Sequence, residues 1–337
     1  MLPIADAIEE MRAVEASALP EALLHPTRPC VLRGLTARWP MVHAGTASAQ
    51  EAVAYLKRFA RDAAVTVSVA PPEAGGRVSY REDMLGFAFR QEKMPLASVL
   101  DILLQHLADP SPPTIYVGST TIDTWLPGFR DHNDLGFGAL QPLASIWVGN
   151  RTRIPAHQDV PDNIACVVAG RRRVTLFPPD QLQNLYIGPL DRTPAGQAVS
   201  LVDFAAPDYE RFPKFAEALR HAQTAELAPG DAVLIPSMWW HHMEALDPFN
   251  VLVNYWWRQS PAWMDTPMNA LMLAIMSVRD LPPEQREIWR EVFRHYVFDA
   301  DADTAAHILE AARGMLAPID ENRARELRAR LLQRLNR

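Results

Sequence analysis

The sequence has few of the residues that mark several large protein classes. It contains two cysteines, Cys30 and Cys166, which match no metal-ligand spacing and are too few for a disulfide scaffold. No apolar run approaches the roughly 18 residues that a membrane-spanning helix needs. The N-terminus lacks the basic start and apolar core of a signal peptide. These absences predict a protein of the cytoplasm, which is a reducing compartment.

Positive charge is also scarce. The chain has 33 basic against 40 acidic residues, a formal net charge of −7, and its pI is about 5.8. This balance disfavours non-specific binding to nucleic acid or to an anionic membrane. Lysine is almost absent, since Lys57, Lys93 and Lys214 are the only lysines in the sequence. Arginine therefore supplies nearly all of the positive charge.

The composition and the positions of the turn-forming residues indicate a globular chain of three regions. Hydrophobic residues make up 48% and charged residues 22%, which is enough apolar surface to bury a core. Prolines (29) outnumber glycines (15) and are scattered, as is typical of an all-β core with many turns. Residues 113–260 hold most of the strand patterns, residues 1–112 mix helical patterns with short strands, and residues 261–337 have a helical period.

The predicted helices flank the β region. On its N-terminal side, helical patterns run over residues 8–18, 49–60 and 96–107. On its C-terminal side, Thr266 and Pro267 are typical of an N-cap and a first helical residue. The helix that follows is apolar nearly all round, so we expect it to be buried, either in the core or against another chain. We therefore predict a homodimer that forms through the C-terminal helices.

Two segments contain candidate metal ligands. His157 and Asp159 follow an apolar strand, and residues i and i+2 of an extended segment point to the same face. They would supply two ligands of a 2-His-1-carboxylate triad, although a His-x-Asp motif alone is common. The third ligand must come from a distant strand. Residues 229–236 have the pattern of a turn followed by a buried strand that ends at a proline. They precede His241 and His242, which point to opposite faces of a strand, so that one of them can face inward.

Longer motifs around these residues resemble a known family. The runs 154–159, 170–180, 230–244 and 253–256 are similar to the cupin-8 branch of the JmjC oxygenases. The similarity extends over roughly residues 28–260 and depends on several motifs in combination, which makes it specific.

The resemblance implies a mainly β fold. Its centre would be a double-stranded β-helix (cupin, or jelly-roll) catalytic core over residues 113–260. Residues 1–112 would form an N-terminal α/β region that packs on and extends the core sheet. Residues 261–337 would form a C-terminal helical region, in which we place the dimer contact.

The resemblance also implies an iron centre. Fe(II) would be bound by His157, Asp159 and His241, the first histidine of its pair, and His242 is the weaker candidate. Three protein ligands on one face of an octahedron leave positions for 2-oxoglutarate and dioxygen. The implied reaction is hydroxylation of a protein side chain or a small molecule, with succinate and CO2 as co-products.

Cofactor-binding residues are implied by their positions in the same motifs. Arg172 stands where the family usually has the lysine that binds the distal carboxylate of 2-oxoglutarate, and arginine can bind a carboxylate bidentately. Tyr116 matches a tyrosine that contacts the same carboxylate. Asn163 and Asn254 match two asparagines that line the cofactor pocket. Ile154 departs from the family, in which a threonine hydroxyl contributes at that position.

Two other functions stay open at this point. Arg172 and Ile154 allow a metal-dependent cupin enzyme that does not use 2-oxoglutarate. The other alternative is a non-catalytic cupin that binds a ligand, although such a protein has no need of a complete ligand triad. The tryptophans that flank the site, among them Trp147 and Trp256, are interpreted mainly as packing residues.

Overall fold

Two compact units, Met1–Gln259 and Ser260–Arg337, make up the chain. The computed structural model describes residues 2–12, 14–138 and 140–336. Within these residues fourteen strands are found, all in the first unit, and they form two sheets. Among the described helices, none is long and apolar enough to cross a membrane.

The strands of the first unit pair almost entirely antiparallel. In chain order they are β1 (Asp6–Ala7), β2 (Glu10–Arg12), β3 (Cys30–Arg33), β4 (Ala64–Ala70), β5 (Arg90–Pro95), β6 (Thr114–Thr121), β7 (Leu143–Gly149), β8 (Arg153–His157), β9 (Asp162–Ala169), β10 (Arg172–Phe177), β11 (Gln223–Leu227), β12 (Ala232–Ile235), β13 (Trp240–Ala245) and β14 (Asn250–Trp257). The large sheet has the order β2-β3-β12-β9-β14-β7-β6-β4-β5, and the small sheet has the order β1-β11-β10-β13-β8. The contacts β1–β11 and β2–β3 are parallel.

The core has two layers, one on each face of the large sheet. β9 is buried along its whole length. Its residues Ile164, Cys166 and Val168 belong to an outer apolar cluster, whereas Ala165 and Val167 belong to an inner cluster shared with the small sheet. This alternation is expected of a strand covered on both faces. The predicted mainly β, jelly-roll core is confirmed.

Three helices of the first unit cover the outer face of the large sheet. The helices of this unit are α1 (Glu21–Leu24), α2 (Pro40–Ala47), α3 (Ala49–Lys57), α4 (Leu96–Gln105), α5 (Ile122–Trp125) and α6 (Phe215–Arg220). Met41, Val53 and Leu100, from α2, α3 and α4, are buried in the outer cluster. The helices predicted over residues 49–60 and 96–107 are confirmed as α3 and α4.

The helix predicted over residues 8–18 is wrong. The described residues of this segment contain the short strand β2 instead, and the strand β1 ends directly before it. The backbone N–H of Ile8 donates to Thr224 O at 3.2 Å, and the N–H of Val31 donates to Glu9 O at 2.7 Å. The segment therefore joins the edges of both sheets. Hydrogen bonding to distant strands outweighs a local helical pattern, because propensity is only a weak preference.

The second unit is helical. Its helices are α7 (Pro267–Ser277), α8 (Pro283–Phe293, followed by a π-helical turn over Arg294–Phe298) and α9 (Glu321–Leu335). The Oγ1 of Thr266 accepts a hydrogen bond from the N–H of Met268, with Pro267 at the first helical position, as predicted. Along α7 and α8, both described in full, no residue is buried. The alternative in which α7 is buried in the core of the chain is therefore wrong.

The outer face of the small sheet is covered by the segment between β10 and β11. Phe204 and Phe215 from this segment pack in a third apolar cluster with Trp240 of β13. His242, two positions along, lies on this face with its ring 4.3 Å from that of Phe204. Neither ring nitrogen of His242 has a hydrogen-bond partner. Burial, together with the charges of Arg153, His157 and Arg77, lowers the pKa of His242 to about 3, and the charge of Asp203 partly opposes this.

We predict that His242 makes the first unit acid-sensitive. Its pKa is lower in the folded chain than in the unfolded chain, so the unfolded state binds more protons and stability falls as pH drops below the ordinary histidine pKa. Between about pH 8 and pH 5, His242→Phe should lose about 2 kcal/mol less unfolding free energy than the wild-type chain. Urea unfolding of the chelator-treated protein measures this difference. Equal losses in the two proteins would contradict the prediction.

Candidate metal centre

The antiparallel pairing of β8 and β13 brings two histidines together. His157 is the last residue of β8 and His241 is the second residue of β13, and the two are register partners. Their rings lie 4.2 Å apart between centroids. Asp159 follows two residues after the end of β8. One potential ligand atom from each of the three residues lies within 4.8 Å of the others. The structure therefore brings the predicted triad together.

A β-bulge turns His157 inward. The register shifts between His241 and Met243, so that Ile154 and His157 of β8 both face the interior although they are three residues apart. Ala156, between them, packs in the cluster on the outer face. The extra residue follows from Pro155, because proline has no N–H to donate to a strand ladder. Simple alternation from Ile154 would have pointed His157 outward.

Hydrogen bonds hold both imidazoles ready to bind a metal. The Nδ1 of His157 lies 2.9 Å from Pro155 O, and the Nδ1 of His241 lies 3.1 Å from Trp239 O. A carbonyl can only accept, so each Nδ1 is the donor, which leaves each Nε2 as the ring nitrogen available to a metal. Burial and the charge of His157 together lower the pKa of His241 to about 4, and the charge of Asp159 partly opposes both. His241 is therefore neutral at pH 7, as a metal ligand must be.

The triad has the composition of a divalent transition-metal site. Asp159 Oδ2 lies 3.6 Å from His241 Nε2, which places the carboxylate on the same side as the two imidazoles. Two imidazoles and one carboxylate suit iron, and a three-ligand set leaves coordination positions open. His242 does not join the group, since it faces the opposite side of β13.

A buried arginine lies on the next strand. Arg172 on β10 is 2% exposed. Its Nε has no hydrogen-bond partner, and no carboxylate of the described residues forms an ion pair with it. Burial lowers the pKa of Arg172 to about 10, so its side chain is still charged at pH 7. Its neighbours face outward, where Arg171 pairs with Asp247 at 2.9 Å and Arg173 pairs with Glu226 at 2.6 Å.

Tyr116 lies within electrostatic reach of both the arginine and the triad. It is a buried residue of β6 whose ring stacks on Trp147, with centroids 6.0 Å apart and an interplanar angle of 30°. Burial raises the pKa of Tyr116 well above its ordinary value, the charge of Arg172 lowers it, and the charge of Asp159 raises it. The tyrosine is therefore a neutral hydroxyl donor at pH 7.

The two predicted asparagines meet across neighbouring strands. The Nδ2 of Asn254 on β14 donates to Oδ1 of Asn163 on β9 at 2.8 Å. Both side chains are buried, and Oδ1 of Asn254 has no partner. Ile154 contributes no polar atom and packs instead in the inner apolar cluster.

Three further residues near the asparagines were not predicted as functional. The buried Oγ of Ser145 and the indole nitrogens of Trp147 and Trp256 all lack hydrogen-bond partners. Strand alternation could have placed them, because Ser145 pairs with Asn254 and Trp256 pairs with Asn163 in register. Nothing in the sequence indicates that their polar atoms would be left unpaired. Buried polar groups nearly always have a partner, so such a group of exceptions indicates a polar ligand.

Comparison with known proteins agrees with this geometry. The family described as a cupin-like domain matches residues 16–262. Human HSPB1-associated protein 1 is 36% identical over 129 residues, which is 37% of this chain and 25% of that protein. Lysine-specific demethylase 8 of Xenopus tropicalis is 25% identical over 268 residues, 76% of this chain and 55% of that protein.

A third relative is tRNA wybutosine-synthesizing protein 5 of Danio rerio, 36% identical over 106 residues, which is 32% of this chain and 29% of that protein. The chain thus spans between a quarter and about half of the length of these relatives. The family match covers most of the chain. The chain belongs to the cupin-like domain family, and its relatives fit the JmjC-type oxygenases.

Proposed function

We propose that this protein is an Fe(II)- and 2-oxoglutarate-dependent oxygenase that hydroxylates a protein side chain or a small molecule. The observation that carries the proposal is a buried, unpaired arginine on the strand next to a histidine–aspartate–histidine triad. The triad suits Fe(II), and a charged guanidinium without a counter-ion suits a carboxylate ligand. When bound, Fe(II) with 2-oxoglutarate supplies dioxygen activation, with succinate and CO2 as co-products.

The unpaired donor nitrogens of the interior favour an anion as the ligand. The unpartnered nitrogens of Arg172, Trp147 and Trp256 can only donate hydrogen bonds. Donors of this kind, together with the positive charge of Arg172, match the carboxylates of a dicarboxylic acid. The hydroxyl of Tyr116 would add a donor beside Arg172. Asn163 and Asn254 would orient the cofactor from β9 and β14.

The chain's own residues would have separate roles. His157, Asp159 and His241 would hold the iron. Arg172 would neutralise the distal carboxylate, at a position where the family usually has a lysine. The tight inner apolar cluster, which includes Ile154, would keep water from the distal end of the cofactor. The two cysteines are free and buried, which is compatible with the cytoplasm as the site of action.

Ferrous iron and the keto acid together should produce a weak visible charge-transfer band in the anaerobic protein. The keto oxygen and the C1 carboxylate chelate Fe(II), so the band requires an intact triad. We expect the band in the wild-type chain and its loss in His157→Ala, measured by absorption after titration with 2-oxoglutarate. Bound iron without a band would favour a cupin enzyme of different chemistry. No bound iron would favour a ligand-binding protein.

Removal of the buried charge should weaken cofactor binding. A charge-assisted hydrogen-bonded pair is lost in Arg172→Met, so we expect the affinity for 2-oxoglutarate to fall by about tenfold to a hundredfold. Calorimetric titration of the Mn(II)-loaded protein measures it. Arg173→Met is the matched control, because that neighbouring arginine faces outward and pairs with Glu226. Equal affinities of Arg172→Met and the wild-type chain would refute the assignment.

We also propose that the chain forms a homodimer through its C-terminal helices. The large apolar side chains of these helices that remain exposed are Met268, Leu271, Met272, Met276, Ile288, Trp289, Leu331, Leu332 and Leu335. An apolar surface of this extent is typical of an interface between proteins. A second copy of the same helices would cover it.

Charge on α7 should break the dimer. Light scattering should give twice the chain mass of 37.7 kDa for the wild-type protein. It should give the single mass for Met272→Glu/Met276→Glu, because both side chains are exposed and a buried carboxylate would be unpaired. Leu85→Glu, at an exposed leucine of the first unit, is the control and should stay dimeric. A monomeric wild-type chain would overturn this proposal.

A further inference from the structure

The carboxylate ligand lies in a loop, whereas both histidine ligands lie on strands. Asp159 belongs to the four residues 158–161 that connect β8 to β9. No strand ladder holds its backbone. Its position must therefore come from contacts with another segment, because a metal triad needs all three ligands in place before the ion arrives.

A turn in front of β13 supplies those contacts. Residues 236–239 connect β12 to β13, and the N–H of Trp239 donates to Pro236 O at 3.2 Å to close the turn. Met238, at the third position, has a φ of 65° in the left-handed region, where glycine is usual. The unusual backbone directs the N–H of Met238 to Asp159 O at 2.8 Å. The side chain of Met238 is itself exposed.

Ser237 makes two more bonds, one to the same loop and one to the first residue of β9. Its hydroxyl donates to Val160 O at 2.6 Å, the residue directly after the carboxylate ligand. Its N–H donates to Asp162 Oδ1 at 2.8 Å. The other oxygen of Asp162 accepts from Gln259 Nε2 at 2.7 Å, so the buried aspartate is held on both sides. Two bonds thus join the loop of one metal ligand to the turn that begins the strand of another, and a third joins that turn to the first residue of β9.

We propose that Ser237 is a positioning residue for the metal ligand Asp159. Its hydroxyl fixes the backbone next to Asp159, so that the carboxylate is held at the distance from His241 that the metal requires. Residues behind the ligands of a metal site commonly change metal affinity tenfold or more when they are removed. This inference rests on the proposed metal chemistry and does not involve 2-oxoglutarate.

Measuring both metal affinity and folding stability distinguishes a residue that positions a ligand from one that only stabilises the fold. The full chain is stripped with a chelator and titrated with Mn(II), with free Mn(II) followed by electron paramagnetic resonance. The thermal midpoint of each stripped variant is measured in parallel. We expect Ser237→Ala to bind Mn(II) about tenfold more weakly than the wild-type chain. Ser237→Thr keeps the hydroxyl and should restore the wild-type affinity.

Ser200→Ala is the matched control. The Oγ of Ser200 also donates to a backbone carbonyl at 2.6 Å, that of Leu185, outside the two ligand-bearing segments. We expect this variant to lower the thermal midpoint and to leave Mn(II) affinity unchanged. If Ser237→Ala does not fold, Ser237→Cys takes its place, because a thiol is a weaker donor of similar size.

Two results would overturn the inference. One is a Mn(II) affinity of Ser237→Ala, or of its cysteine substitute, equal to that of the wild-type chain. The other is an equal loss of affinity in Ser200→Ala, which would show that general loosening of the fold is the cause. A wild-type chain that binds no Mn(II) would instead overturn the proposed metal chemistry, and this inference with it.

Discussion

The register of β8 against β13 is the constraint on which the site depends. His241 faces inward by ordinary alternation along β13, together with Met243. His157 faces inward only because the bulge at Pro155 adds one residue to β8. A regular strand would have pointed this imidazole at the third apolar cluster, on the outer face of the small sheet, and left the site with a single histidine. The local loss of a ladder hydrogen bond is therefore a condition for binding.

The inner space between the sheets is divided between packing and polar chemistry. Val174 and Leu176 of β10 fill the apolar part, while Arg172 on the same face of the same strand is unpaired. An unpaired buried charge and several unpaired polar atoms destabilise the folded chain. The large outer cluster under α2, α3 and α4 supplies compensating apolar burial. Because the outer layer stabilises the fold, some polar groups of the inner layer can remain without hydrogen-bond partners until a ligand binds.

Strand alternation explains how much of the site could be predicted from the sequence. It accounts for Arg172 on the inner face of β10 and for its two neighbours on the outer face, whereas the cofactor role of Arg172 is implied only by the family resemblance. The i, i+2 rule predicted that Asp159 and His157 point to the same side, and the structure places them together. The rule applies to strands, however, and Asp159 lies in the loop after β8, so contacts of the loop place it. The predicted helix over residues 8–18 is wrong because the backbone of this segment bonds to distant strands. Ile8 bonds to Thr224 of β11, and Glu9 bonds to Val31 of β3. Local patterns contain no information on such pairing.

Sequence analysis also cannot predict which buried polar atoms lack a hydrogen-bond partner. Trp147 and Trp256 were interpreted as packing residues, and their rings do pack against each other, with centroids 5.7 Å apart. Whether an indole N–H finds an acceptor depends on every side chain around it. A sequence pattern assigns a residue to a face and leaves its hydrogen-bond partners open. The polar character of this interior emerges only from the packed structure.

The triad combines ligands of unequal stiffness. His157 and His241 are held by the hydrogen bonds of a strand pair, whereas Asp159 lies in a loop. Hydrogen bonds from Ser237 and Met238 attach that loop to the lead-in of β13. Any shift of β13 that moves His241 therefore carries the backbone of Asp159 with it. The distance between these two ligands would be kept in such a shift, as the proposed metal site requires.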